Sequence, residues 1–127
     1  MQTLTETLLE KRGITDEVEK NIFLNPDYEK GLHDPYLMKN MDKAVKRFLK
    51  ALSHNEKITV FTDYDTDGLP AAVMFHDFFK KIGYENFENY IPHRHAEGFG
   101  LSKGAIEKCK GGGATLLITV DCGITNY

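Results

Sequence analysis

The sequence holds only two cysteines, Cys109 and Cys122, far apart and with no CxxC pair or zinc-type spacing. That pattern points to reduced structural thiols inside a cell, and away from a disulfide scaffold. No apolar run approaches the roughly 20 residues of a membrane span. The opening MQTLTETLLEKRG lacks the charged-then-apolar order of a secretion signal, so the expected location is the cytoplasm. Internal repeats and low-complexity tracts are missing too. So is a strong charge bias: the net charge of −3 neither favours nor excludes an anionic partner, because bound metal ions can carry local positive charge. What is present is 127 residues, 41% hydrophobic and 28% charged, about one domain of ordinary globular chain.

Residues 1–54 read as a helical lead-in. A short helix is expected over Thr3–Arg12, ended by Gly13, and Asp16 with Glu19 has capping-box spacing ahead of Val18, Ile22 and Phe23. NPDYEKGLHD reads as a loop. Asp34-Pro35 supplies an N-cap and a pre-set first helical residue. Leu37, Met41, Val45, Phe48 and Leu52 recur at helical spacing, which predicts one amphipathic helix from Pro35 to Ser53. Its Lys43, Lys46, Arg47 and Lys50 form a basic face, read as solvated.

Residues 55–127 alternate. KITVFT (57–62), ENYI (88–91) and TLLITV (115–120) read as strands, separated by helices over 70–82 and from Ser102 through Lys110. Right-handed crossovers then give an α/β fold, a parallel sheet between helical layers. In such a sheet the loop after each strand opens at the same carboxyl-terminal rim, where ligands bind. Asp63, Asp65 and Asp67 follow the first strand, PHRHAEGFG follows the second and Asp121 follows the third.

Three aspartates on alternate residues repel one another and raise one another's pKa unless something offsets the charge. Their hard oxygen donors favour Mg²⁺ or Mn²⁺. Two ions about 3.5–4 Å apart, shared with Asp121, activate water for attack at a phosphoryl group. The plainer readings are an Asx turn for 63–67 and a turn residue before glycine for Asp121. Arg94 carries a planar fork suited to phosphate oxygens, though a loop arginine also serves as a surface ion-pair partner. His93 and His95 flank it as phosphate or outer contacts. Gly98 and Gly100 let backbone N–H groups approach an anion, and Phe99 either stacks on a base or packs.

DYDTDG (63–68), IPHRHAEGFGL (91–101) and LLITVDCGI (116–124) together resemble the RecJ-like branch of the DHH phosphoesterase superfamily, as do the leading RGI, FLNP and LHDPYLMKNMDKAV. The resemblance implies an incomplete, Rossmann-like DHH domain in residues 55–127. It implies a single-stranded-DNA-specific exonuclease of 5′-to-3′ polarity, acting in recombination and repair with Mn²⁺ or Mg²⁺, and two ions in the intact protein. Asp65, Asp67 and Asp121 then act catalytically through metal, with Asp63 the associated leading aspartate. Arg94, His93, His95, Gly98 and Gly100 then belong to the substrate-binding loop. Single-strand-binding protein and a helicase are the implied partners of the intact protein. Pro70 stands where the family commonly has a small hydroxylated residue. The chain reaches Tyr127 before the family's Asp-His-His motif, so an N-terminal fragment, inactive alone, is expected.

Two alternatives remain at this stage. One is another DHH-type phosphoesterase, a pyrophosphatase or a cyclic-dinucleotide phosphodiesterase. The other is a receiver-type module that accepts phosphate on Asp121.

Overall fold

Thr3 opens α1 (Leu4–Lys11) through a reciprocal cap. Its hydroxyl accepts the Glu6 N–H at 3.2 Å, and the Glu6 carboxylate accepts the Thr3 N–H at 2.6 Å. The computed structural model describes residues 3–124; residues 125–127, the end of the expected second segment, lie outside the described residues. Asp16 caps α2 (Glu17–Leu24) by accepting the N–H groups of Val18 and Glu19. The segment expected to be a loop contains a single-turn helix, α3 (Tyr28–Gly31), because the Asp27 side chain accepts the Glu29 N–H.

The single helix expected from Pro35 to Ser53 is broken. Asp34 caps and Pro35 leads as expected, but they begin only a 3₁₀ turn, Pro35–Leu37. Asn40 then takes φ 63°, which no right-handed helix accommodates, and α4 starts at Met41 and runs to Ser53. The apolar spacing spans the break because it records which side chains are greasy, not the backbone hand between them.

The chain divides into two compact units, residues 1–41 and 42–127. Nearly all of α4 therefore belongs with the sheet, whereas the division expected near residue 54 follows the change from helix to strand. Within the second unit β1 (Ile58–Thr62), β2 (Phe87–Tyr90) and β3 (Leu116–Val120) form a parallel sheet in the order β2-β1-β3. Ile58 sits opposite both Phe87 and Leu116. β1 is central and buried at all five positions, as a strand covered on both faces must be.

One face of the sheet presents Ile58, Val60, Phe87, Leu116, Ile118 and Val120 to Phe48, Ala51 and Leu52 of α4 and to Phe75 and Phe79 of α5 (Gly68–Lys81). Phe79 is fully buried and stacks on Phe87 with ring centroids 4.5 Å apart. Burying a side chain of that size stabilises by about 1.5–3 kcal/mol. Arg47, expected to be solvated, instead holds Glu56 through two bonds of 3.2 and 2.7 Å and the Thr115 carbonyl at 3.0 Å. The opposite face carries Thr59, Glu88 and the stacked pair Phe61–Tyr90.

α5 links β1 to β2, and α6 (Lys103–Gly111) carries the chain back past β1 to β3. Right-handed crossovers in opposite directions put the two helices on opposite faces, which completes the three-layer α/β architecture. Because the chain doubles back, the carboxyl ends of β1 and β3 flank the place where open α/β sheets form their ligand crevices. Among the described residues, no helix is long and apolar enough to cross a membrane.

Candidate functional site

β1 ends at Thr62, whose hydroxyl donates to the Asp63 carbonyl at 3.0 Å. Asp63 is 2% exposed, and its Oδ1 accepts the Tyr64 N–H at 2.7 Å. Asp65 Oδ1 accepts the N–H groups of Asp67 and Gly68, each at 3.0 Å. The Asx turn weighed from the sequence therefore forms, and it starts α5. Those two N–H donors, Gly68 first, hold the Asp65 carboxyl below its usual range. Asp67 stands at the N-cap position without a capping bond from its side chain, which leaves that carboxylate exposed. Pro70 falls in the first turn of α5, where its missing N–H costs no intrahelical bond.

Gly68 is required at this corner. A Cβ there would lie 2.4 Å from the Asp63 carbonyl oxygen and 2.7 Å from Thr62 Oγ1. The backbone of α5 can approach the end of β1 this closely only where no side chain intervenes.

Asp121 follows β3 in the left-handed region, φ 60°, a conformation that costs energy for a non-glycine residue. Its carboxyl comes within hydrogen-bonding reach of the Asp65 carboxyl. Loss of solvent is the largest influence on Asp121. The charge of Asp65, the hydrogen bond to Asp65 that only a protonated carboxyl can make, and the charges of Asp67 and Asp63 add to it, and all push the pKa up. Asp65 and Asp121 thus meet across β1 and β3, with Asp63 and Asp67 close enough to be felt electrostatically.

Among the described residues, no three His, Cys, Asp or Glu side chains are already drawn together as a metal centre. The carboxyls that do approach one another, Asp65 and Asp121, are hard oxygen donors of the kind a divalent cation takes. Asp67 and Asp63 lie beside them on alternate residues of the same turn.

The loop after β2 closes on the same rim. Arg94 places its guanidinium 5.2 Å from the centre of the Tyr64 ring, and Phe99 meets that ring edge-on at 6.5 Å. His93 Nδ1 accepts the N–H groups of His95 and Ala96, so this ring nitrogen caps a turn and the neutral ring keeps its proton on Nε2. His95 is exposed beside it. Gly98 and Gly100 take φ 79° and 73°, with open space where a Cβ would stand, so their role is backbone hand rather than close packing. Phe99, Gly100, Thr119, Asp121, Cys122, Gly123 and Ile124 line a cleft between this loop and the end of β3.

Sequence reasoning passed over Tyr64 and Glu97. Tyr64 alternates with the aspartates and holds Arg94. Glu97 lies inside the quoted EGFG stretch and anchors the Arg94 turn. Both cysteines are free thiols, as expected. A separate apolar hollow lined by Phe48, Met74, Phe75 and Phe78 offers no polar group for chemistry.

Three comparisons bear on this geometry. The chain is 38% identical over 122 residues to the single-stranded-DNA-specific exonuclease RecJ of Bacillus subtilis (strain 168), covering 95% of this chain and 15% of that protein. It is 27% identical over 126 residues to the protein of the same name from Escherichia coli (strain K12), covering 98% and 21%. A crystal structure of exonuclease RecJ bound to manganese superposes with a TM-score of 0.63 at 32% identity, over 70% of this chain and 23% of that one. The chain thus spans less than a quarter of the length of each of these relatives. The family described as "DHH family, N-terminal domain" matches residues 57–127, the stretch that contains all three strands and every residue of the rim. A receiver-type module is thereby set aside: this chain belongs to the DHH family.

Proposed function

We propose that this chain supplies the first part of the active site of a divalent-metal-dependent exonuclease. The full-length gene product hydrolyses phosphodiester bonds of single-stranded DNA from the 5′ end, in recombination and repair. One observation carries the reading: the Asp65 and Asp121 carboxyls meet at the ends of adjacent parallel strands, with Arg94 over Tyr64 on the same rim.

Asp65 and Asp121 hold the ion or ions, Mn²⁺ or Mg²⁺, with Asp67 and Asp63 completing the donor set. Bound there, a divalent cation supplies Lewis acidity at the phosphoryl group and lowers the pKa of water. Arg94 grips phosphate oxygens through its fork and offsets charge that builds on them. The Nε2 of exposed His93, exposed His95 and the backbone at Gly98 and Gly100 give further donors along the strand. The DNA itself comes from unwinding, so a helicase and single-strand-binding protein are fitting partners. The reaction belongs in the cytoplasm, where free Cys109 and Cys122 stay reduced.

The test is a substrate panel on the full-length gene product with Mn²⁺: 5′-phosphorylated single-stranded DNA, duplex DNA, pyrophosphate and a cyclic dinucleotide. Single strands should be degraded from the 5′ end, and a chelator should stop the reaction. Asp67→Ala should abolish turnover while leaving the fold intact. Preferred hydrolysis of pyrophosphate or the cyclic dinucleotide would assign a different DHH phosphoesterase, and near-normal rates for Asp67→Ala would overturn the ligand assignment.

A further inference from the structure

Arg94 rides on a turn that is closed on itself. The His93 carbonyl accepts the N–H groups of Ala96 and Glu97 at 3.1 and 2.8 Å, and His93 Nδ1 takes two more from inside the turn. Beside the Arg94–Tyr64 contact, one carboxylate ties this turn to the body of the domain. Glu97 Oε2 accepts the His93 N–H at 2.8 Å, while Oε1 accepts the Tyr90 hydroxyl and Lys108 Nζ, the latter at 2.5 Å.

Those donors come from three places: the turn, the last residue of β2 and the middle of α6. Tyr90 is itself fixed, because its ring stacks on buried Phe61 of the central strand with centroids 5.4 Å apart. Glu97 is 18% exposed, although the loop around it is open to solvent. A mostly covered carboxylate with charge-assisted donors on both oxygens fixes geometry better than a surface ion pair does. The Lys108 bond is the largest influence on its ionisation, followed by Tyr90 and the His93 N–H, and together they hold its pKa at about 2. The clamp is therefore charged throughout the physiological range.

We infer that Glu97 is a positioning residue for the substrate phosphate: by tying the His93–Glu97 turn to Tyr90 and Lys108, it sets where the Arg94 guanidinium stands over the Tyr64 ring on the rim. The inference rests on the proposed role of Arg94 as a phosphate contact.

The experiment measures binding of a 5′-phosphorylated single-stranded oligonucleotide to the full-length gene product across salt concentrations, with metal chelated so that the strand is not cut. Arg94→Gln should weaken binding and reduce the slope of log affinity against log salt by about 0.7, the loss of one single-strand phosphate contact. Glu97→Gln should reproduce both changes, and the double variant should bind no worse than Arg94→Gln alone. Tyr90→Phe keeps the ring on Phe61 and should shift both quantities the same way by a smaller amount, which decides the matter if Glu97→Gln does not fold. A role in stability alone would lower the melting temperature of Glu97→Gln and leave the salt slope of the folded protein at the wild-type value. That result, or wild-type binding by Tyr90→Phe where Glu97→Gln does not fold, would overturn the inference while Arg94→Gln remained impaired. A normal slope for Arg94→Gln would instead remove the phosphate reading beneath it, and the inference with it.

Discussion

Asp65 at the end of β1 and Asp121 at the end of β3 bring two carboxyl groups close enough that each shifts the other's ionisation, Asp65 downward and Asp121 upward. The backbone donors from Gly68 and Asp67 favour the charged form of Asp65, and that charge presses Asp121 toward its neutral form. The pair is an electrostatic cost that a cation turns into a gain. Asp121→Asn removes one charge and keeps a residue that tolerates φ 60°. Thermal unfolding without metal should therefore show this variant at least as stable as the wild type. Added Mn²⁺ should raise the melting temperature of the wild type and not that of Asp121→Asn.

Gly68→Ala acts on the same corner from the backbone. Its new Cβ would lie 2.4 Å from the Asp63 carbonyl, so α5 must move away from β1 and take the Asp65 turn with it. Overpacking of this kind costs about 1–3 kcal/mol. Urea unfolding should show that loss, and the proposed activity of the full-length gene product on single-stranded DNA should fall further than stability accounts for.

Phe79 separates fold from site. It lies on the α4–α5 face of the sheet among Phe48, Phe75, Tyr84 and Phe87, away from the rim. Phe79→Ala should destabilise by about 3–5 kcal/mol. Below its unfolding temperature the variant should keep the Mn²⁺-induced shift of the wild type, which a titration at low temperature checks.

Acid unfolding has a sign that can be worked out group by group. Glu97 drops from 4.5 to about 2 on folding, so between those values the unfolded chain binds more protons and stability rises with pH. Its contribution is complete above about 4.5 and is lost as pH falls through about 2. Asp121 runs the other way: its folded pKa is raised, so its contribution declines as pH climbs past the unfolded value of 3.8. The stability gap between wild type and Glu97→Gln, read from urea unfolding at a series of pH values, should narrow as pH falls from about 4.5 toward 2.

The sheet and the rim were legible because buried parallel strands leave runs such as ITVFT, and a parallel sheet sends every following loop to one edge. That logic brought Asp65 and Asp121 together before any coordinate did. The break at Asn40 was not legible, since amphipathic spacing carries no information about the sign of φ. The reciprocal Thr3–Glu6 cap, by contrast, has its spacing written in the chain. Tyr64 and Glu97 act through a cation–π contact and a three-donor clamp, which depend on where the β2–α6 loop folds back. No local pattern in the chain encodes that fold-back. The EGFG stretch drew attention through its glycines, while the residue that anchors the turn is the glutamate beside them.

The most direct measurement is an anomalous difference map from crystals of the full-length gene product soaked in Mn²⁺. A peak between the carboxyls of Asp65 and Asp121, absent in the Asp121→Asn protein, is the predicted result. Manganese bound elsewhere, with neither carboxyl among its ligands, would contradict the claim that these two strand ends hold the ion.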